Sequence, residues 1–238
     1  MLAKSSIQNK LLGSLDDADF DLLASQLELV EFSLRDILEH PDRPIEHVVF
    51  LESGIASIVA RSPKGKDIEV GLVGREGFTG TTLALGGRST PFSTYIQLRG
   101  SGYQIPAARF SAAVRESRSL HNRLLLFVHS LITQAASTAL INVQADAQTR
   151  LARWLLMVHD RSDGNELYLT HEFMAIMLGV RRPWVTETLH VLEGKGHIRS
   201  ARGKVTIVNR EGLVRDTLGF YGIAEQEYET LLGEAQSR

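Results

Sequence analysis

Apolar residues change their spacing three times along this chain. Residues 9–30, N-K-L-L-G-S-L-D-D-A-D-F-D-L-L-A-S-Q-L-E-L-V, carry them at helical intervals, with Asp16 or Asp17 placed to cap a helix after Leu15. The acids Asp16, Asp17, Asp19 and Asp21 read as helix-start residues that complement the dipole rather than as metal ligands. From 31 to about 106 the period is two: V-V-F-L-E-S-G-I-A-S-I-V-A, D-I-E-V-G-L-V-G, S-T-Y-I-Q-L and G-Y-Q-I-P are strand-like and punctuated by glycine. Ser62, Pro63, Lys64 and Gly65 form a hairpin turn between two of them. Many short strands with regular turns predict an antiparallel roll or barrel.

Over 109–143 the helical period returns, with Leu120, Leu124, Leu125, Val128, Leu131, Ile132, Ala135, Ala139, Leu140 and Val143 on one broad stripe. A helix this long cannot bury such a stripe alone. Pairing with a second copy in a parallel coiled coil would, with Leu124, Val128, Leu131, Ala135 and Ala139 at the dimer interface; packing against its own roll accounts for part of the same stripe. Small and polar residues at 142–146 predict a hinge, after which Asp146 caps a helix with Leu151, Trp154, Leu155 and Val158 inward. A turn at 162–165 and a short strand over 166–169 follow, and the tail after Glu211 is helical and acidic, packed at the end of the last domain.

The stretch 170–203 reads T-H-E-F-M-A-I-M-L-G-V-R-R-P-W-V-T-E-T-L-H-V-L-E-G-K-G-H-I-R-S-A-R-G: a short helix, a turn, a second helix and a hairpin. Ala175 lets the second helix approach the first, and Gly179 supplies the positive φ of a steep turn. Pro183 needs no donor in a first helical turn, so the second helix starts at about Pro183 with Arg182 at its threshold. Val185, Leu189 and Leu192 form its buried stripe, leaving Arg182, Thr186, Glu187 and His190 outward. This is the layout of a helix presented to a DNA groove.

At these residues the chain resembles the winged helix-turn-helix of the Crp/Fnr regulators. F-L-E-S-G-I-A-S (50–57) and V-G-L-V-G-R-E-G (70–77) resemble the cyclic-nucleotide-binding-like β-roll of the same family. The resemblance implies an α+β chain with an effector-sensing β-roll at 1–110, a dimerisation helix at 111–145 and a winged helix-turn-helix domain at 146–238. It implies base contacts from Arg182, Trp184, Thr186 and Glu187, with packing against the first helix or the effector domain the favoured alternative for Trp184. Backbone contacts fall to Thr170, His171, Arg181, His190 and the wing-tip residues Arg202, Gly203 and Lys204. Of the family's arginine, glutamate and second arginine, matched by Arg182, Pro183 and Glu187, one is retained.

In the family's roll, a helix N-terminus, an arginine and a glutamate hold the cyclic nucleotide. With Gly80 as the family's glycine, Thr81 stands at the glutamate and Phe92 at the arginine; a second register uses Glu76 with Arg88 and Ser89. Neither register restores the set, so the effector, if any, is expected not to be a standard cyclic nucleotide. The effector-pocket residues are then Glu76, Gly77, Gly80, Thr81, Arg88, Ser89 and Thr94.

Composition narrows the remaining classes. The 238 residues contain no cysteine, which removes disulfides, thiolate zinc sites and cysteine-bound iron–sulfur clusters. His121, His129 and His159 read as surface or partner-facing groups, so no metal, haem or iron–sulfur cofactor is expected. The first residues lack an apolar signal core and the longest apolar run, 124–128, is too short for a membrane span, which points to a cytoplasmic protein with no membrane partner. Residues 1–110 hold 11 basic against 14 acidic side chains, whereas 165–215 hold 8 against 5, so the basic excess lies with the helix-turn-helix. No H-E-x-x-H, phosphate-loop or G-x-S-x-G pattern is present, which argues against an enzyme. The expected partners are palindromic double-stranded DNA, a second copy of the chain and RNA polymerase. The other reading is a ligand-sensing or interaction module whose helix-turn-helix docks protein.

Overall fold

The computed structural model describes residues 2–63 and 65–233. They form two compact units, one of residues 2–58, 72–132 and 226–233, the other of Val59–Gly71 and Thr133–Glu225.

The first unit opens with α1 (Lys10–Gly13) and α2 (Asp17–Ala24). Each is capped by the side chain before it: Asn9 accepts from Leu12 N–H, and Asp16 from Asp19 N–H. Asn9 is wholly buried, and its amide also donates to the Leu51 and Gly77 carbonyls at 2.9 and 2.8 Å, so this cap ties the N-terminal segment to the roll. The helical spacing expected through residue 30 ends at Ala24. After a turn, strand β1 (Glu28–Phe32) takes the last residues of that stretch, because its backbone has a ladder partner that outweighs the local pattern.

The described strands that follow are β2 (Ile37–Glu39), β3 (His47–Leu51), β4 (Ile55–Arg61), β5 (Asp67–Val73), β6 (Ser93–Leu98) and β7 (Gly100–Pro106). β7 lies antiparallel between β1 and β3, with Val30 opposite Gly102 and Phe50 opposite Tyr103. The second sheet runs in the order β2, β6, β4, β5. The expected antiparallel roll is present, and the turn at 62–65 closes with Gly65 N–H on the Ser62 carbonyl. Helix α3 (Thr81–Ala84) interrupts the strands, and α4 (Ala107–Glu116) follows them.

The single helix expected over 109–143 is in fact two, α4 and α5 (Arg118–Gln144). Ser117 between them is extended, with φ −115° and ψ 120°. Its hydroxyl accepts from Leu120 N–H and bonds Asp19 Oδ1, so a serine set in an apolar stripe ends one helix and caps the next. The core centres on Phe50, Phe78 and Phe110, joined by Phe127 of α5 at 5.3 Å from the Phe78 ring. Gly77 packs beneath that ring, since a Cβ there would lie 1.9 Å from Phe127 Cζ.

Leu120, Leu124, Phe127 and Val128 of α5 belong to this core. By its length and a mean hydropathy of 1.7 over an 18-residue stretch, α5 could cross a membrane, which the short apolar runs did not foretell; in this structure its first half is packed into the roll through those four residues. Leu131 and Ala135 are half-buried. The exposed remainder, Ile132, Ala136, Ala139, Leu140 and Val143, recurs at four- and three-residue steps. The end of the chain also departs from expectation. In α10 (Ile223–Leu232) the residues from Gln226 cluster with the roll: Leu232 enters its core, Arg123 donates to the Leu232 carbonyl at 2.6 Å, and Tyr228 donates to that of Glu76 at 2.9 Å.

The second unit contains α6 (Ala147–His159), β8 (Glu166–Leu167), α7 (His171–Met177), α8 (Arg182–Gly194), β9 (Ile198–Ala201), β10 (Lys204–Ile207) and α9 (Arg210–Asp216). β10 pairs with both β8 and β9. Leu151, Trp154, Leu155 and Val158 point inward as expected, and Trp154 Nε1 donates to Glu69 in the hairpin segment of the same unit at 2.7 Å.

Asp146 caps α6 as expected, accepting from Thr149 N–H at 2.9 Å, and this bond holds its carboxyl below the usual carboxylate range. Such a lowered carboxyl stabilises the fold above the unfolded value, and the gain disappears as pH falls through the folded value. Asp146→Ala is therefore expected to cost about 0.5–2 kcal/mol near neutrality. In urea titrations the gap to the parent should narrow below about pH 4.

Candidate nucleic-acid interface

Thr170 opens the motif as expected. Its hydroxyl accepts from Phe173 N–H at 3.1 Å, ordering the first turn of α7. The helix ends at a turn where Gly179 has φ +65°, and Val180 N–H closes back on the Ala175 carbonyl at 2.9 Å. A side chain at 179 would be strained by that φ, and its Cβ would press Ile68 Cγ1 at 3.1 Å.

Helix α8 starts one residue earlier than Pro183 suggested. Arg181 is extended at the N-cap and Arg182 is the first helical residue, so Pro183 occupies the first turn where no donor is missed. Val185, Leu189 and Leu192 are fully buried, while Arg181, Arg182, Glu187 and His190 are exposed.

Two of the outward residues have neighbours that composition did not reveal. Thr186 is half-buried, and its hydroxyl bonds His171 Nδ1 at 2.9 Å and its own helix at the Arg182 carbonyl. Burial, then the charges of Arg182 and His190, hold the His171 imidazole below its ordinary pKa, so near neutrality it is an uncharged brace between α7 and α8. Trp184 is half-buried, with the Arg150 guanidinium 5.6 Å from its ring centroid. Arg150 also donates to the Leu178 carbonyl at 2.7 Å, clamping the end of α7 and the start of α8 together. Sequence reasoning missed Arg150, which is one of two arginines on α6 and is set apart from Arg153 only by its distant partners.

The wing is the β9–β10 hairpin, turned at Arg202 and Gly203, where Gly203 has φ +73°. Arg202 is exposed, but Lys204 reaches back to Glu166 at 2.7 Å. Arg181 at the N-cap, Arg182 in the first turn of α8 and Arg202 at the wing tip are exposed cations, and α8 itself carries two exposed carboxylates, Glu187 and, nearer its end, Glu193.

These features are matched in known proteins. A family model described as the Crp-like helix-turn-helix domain fits residues 149–215. The FixK2 protein from Bradyrhizobium japonicum superposes with a TM-score of 0.69 at 16% identity, over 79% of this chain and 96% of that one. A Crp/Fnr-family regulator structure from Eubacterium rectale gives 0.68 at 20% identity, over 88% and 98%. A CRP-family transcriptional regulator from Thermus thermophilus gives 0.66 at 18%, over 80% and 97%. The chain has the Crp/Fnr architecture. No curated protein matches it in sequence.

Within the Crp/Fnr roll, the seven residues marked as an effector pocket fall into three environments. Gly77 is buried against Phe127, and the Glu76 carbonyl receives Tyr228. Gly80 and Thr94 meet at Glu39, a residue the sequence did not single out: its carboxylate accepts from Gly80 N–H at 2.9 Å and from the Thr94 side chain. Glu39 is buried, and desolvation raises its pKa against these two bonds. Thr81 is half-buried in the first turn of α3, whereas Arg88 and Ser89 are exposed in the loop beyond it. Alternation along β2 could not have found it, since a register shift between Ile37 and Glu39 leaves Ile37 exposed and turns Glu39 inward.

Of the three histidines read as surface or partner-facing groups, His121 is half-buried and bonds the Ala84 carbonyl of its own roll at 2.9 Å. His129 meets Glu227 at 3.1 Å, and His159 meets Asn165 at 2.9 Å.

Proposed function

We propose that the chain is a cytoplasmic, bacterial-type transcription regulator that reads DNA as a homodimer. The observation that carries this reading is the exposed start of α8, where Arg182 and Glu187 project from a helix whose opposite face is fully buried. In this reading Arg182 grips guanine O6 and N7, and Glu187, just over one turn on, accepts from cytosine N4. Thr186 adds a methyl group to the base edges, its hydroxyl being engaged by His171. Trp184, beneath Arg150, serves as a brace instead of a reader. Thr170, Arg181, His190, Arg202 and the Gly203 backbone hold phosphates.

Pairing uses the exposed stripe of α5 from Ile132 to Val143, with Ala136 and Ala139 allowing close approach. A two-fold dimer then reads a palindrome with half-sites about one helical turn apart, and RNA polymerase is the further partner. A standard cyclic nucleotide is not the expected ligand of the roll. Thr81 and Phe92 stand where the family has its glutamate and arginine, and the Gly80 N–H that would face a phosphate is taken by Glu39.

The test is selection of bound duplexes from a random pool by the purified full-length protein. An enriched palindrome supports the reading; absence of enrichment, with no salt-dependent binding to any duplex, would favour a helix-turn-helix that docks protein.

The wing makes a separate prediction. Glu166 and Lys204 attract each other, lowering the carboxylate and raising the ammonium pKa, so Glu166 competes with phosphate for that cation. Glu166→Gln is expected to tighten binding to all duplexes alike and to steepen the salt dependence by up to about 0.9 in the log–log slope. Lys204→Ala should weaken all sequences and leave the slope shallower than that of Glu166→Gln.

A further inference from the structure

On the outer side of α3, clear of every strand, the first unit holds an open groove of about 730 Å³. One wall is the segment Leu83–Arg88, the other is the end of α4 and the start of α5. The hydrogen bond from His121 to the Ala84 carbonyl spans the two walls and fixes their separation. The floor is apolar, with Leu83 and Val114 buried, Leu125 half-buried, and Leu85 at the rim 63% exposed. That is a large aliphatic side chain left in water beside an apolar trough.

Charge at the groove is one-sided. Arg88, Arg115 and Arg118 line it against a single carboxylate, Glu116. Among the described residues none of these three guanidinium groups forms an ion pair. Arg118 is also the first residue of the 27-residue helix α5, whose positive end adds to the same field. A volume within the ordinary range of ligand pockets, an apolar floor and exposed cations on both walls are the attributes of a site for a small molecule.

We propose that this groove binds a small organic acid, its carboxylate held by Arg115 and Arg118 with Arg88 at the rim, and its apolar body lying over Leu83, Val114 and Leu125. The site is distinct from the roll interior and from the DNA-reading surface. Its occupancy is measured without DNA, so its failure and the failure of the regulator reading are separable.

Equilibrium dialysis of labelled decanoate against the full chain tests it. One saturable site per chain is expected, weakened about tenfold by Arg115→Gln and by Arg118→Gln, and unchanged by Arg99→Gln, an exposed arginine outside the groove. Neutral decanamide should bind at least about tenfold more weakly than decanoate. Each arginine replaced is exposed, so unchanged thermal melting is expected and checks that the variants fold. Equal binding of decanoate and decanamide, indifference to both substitutions, or no saturable binding would overturn the proposal.

Discussion

Phe78→Ala is expected to remove about 3–5 kcal/mol from the stability of the roll, the largest single-residue effect in that unit. Phe78 is fully buried, and its ring lies 5.7 Å from Phe50, 5.7 Å from Phe110 and 5.3 Å from Phe127. Truncation removes contacts with three rings at once and leaves a cavity that cannot close cheaply. Phe50 and Phe110 are anchored on β3 and α4, and Phe127 is pinned over Gly77. Urea unfolding followed by circular dichroism gives the number, with Phe92→Ala as the comparison. Phe92 is 38% exposed, and its loss should cost well under about 1.5 kcal/mol. A cost for Phe78→Ala as small as that for Phe92→Ala would mean that the four rings do not form the centre of the core.

The second large effect falls on DNA. Arg182→Ala should weaken binding to the selected palindrome by about 1–3 kcal/mol per half-site, roughly 5–150-fold, while binding to unrelated duplex changes far less. The substitution is exposed and lies at the first position of α8, where alanine is an excellent helix former, so folding is not at risk. Repeating the selection with the variant should blur one base pair in each half-site and leave the spacing intact. Uniform weakening across all sequences would reassign Arg182 from base to phosphate.

Much of the helix-turn-helix was legible because its determinants are local. A glycine at 179 with positive φ, caps at Thr170 and Asp146, and a proline in the first turn of α8 each act within four residues. What escaped depends on partners far along the chain. Glu39 meets Gly80 across 41 residues, Lys204 meets Glu166 across 38, and Arg150 reaches Leu178 across 28. Residues 28–30 read as the end of a helical stretch, because the ladder to β7 that makes them a strand is formed with residues 102–104. Periodicity found the stripe of α5 but could not say what covers it. Leu124 and Val128 are in the chain's own core, and only the later positions are exposed. The break at Ser117 was invisible for a similar reason, since its cap is completed by Asp19, 98 residues away.

That division of α5 bears on the order of assembly. The core that anchors its first half is built from the chain's own residues, so the melting midpoint of the roll is expected not to vary with concentration. Pairing along the second half would be a later, bimolecular event whose strength is set by how well five small or aliphatic side chains mesh. Dilution would then part the two chains and silence a palindrome reader without unfolding either one, making the amount of protein present a control on its output.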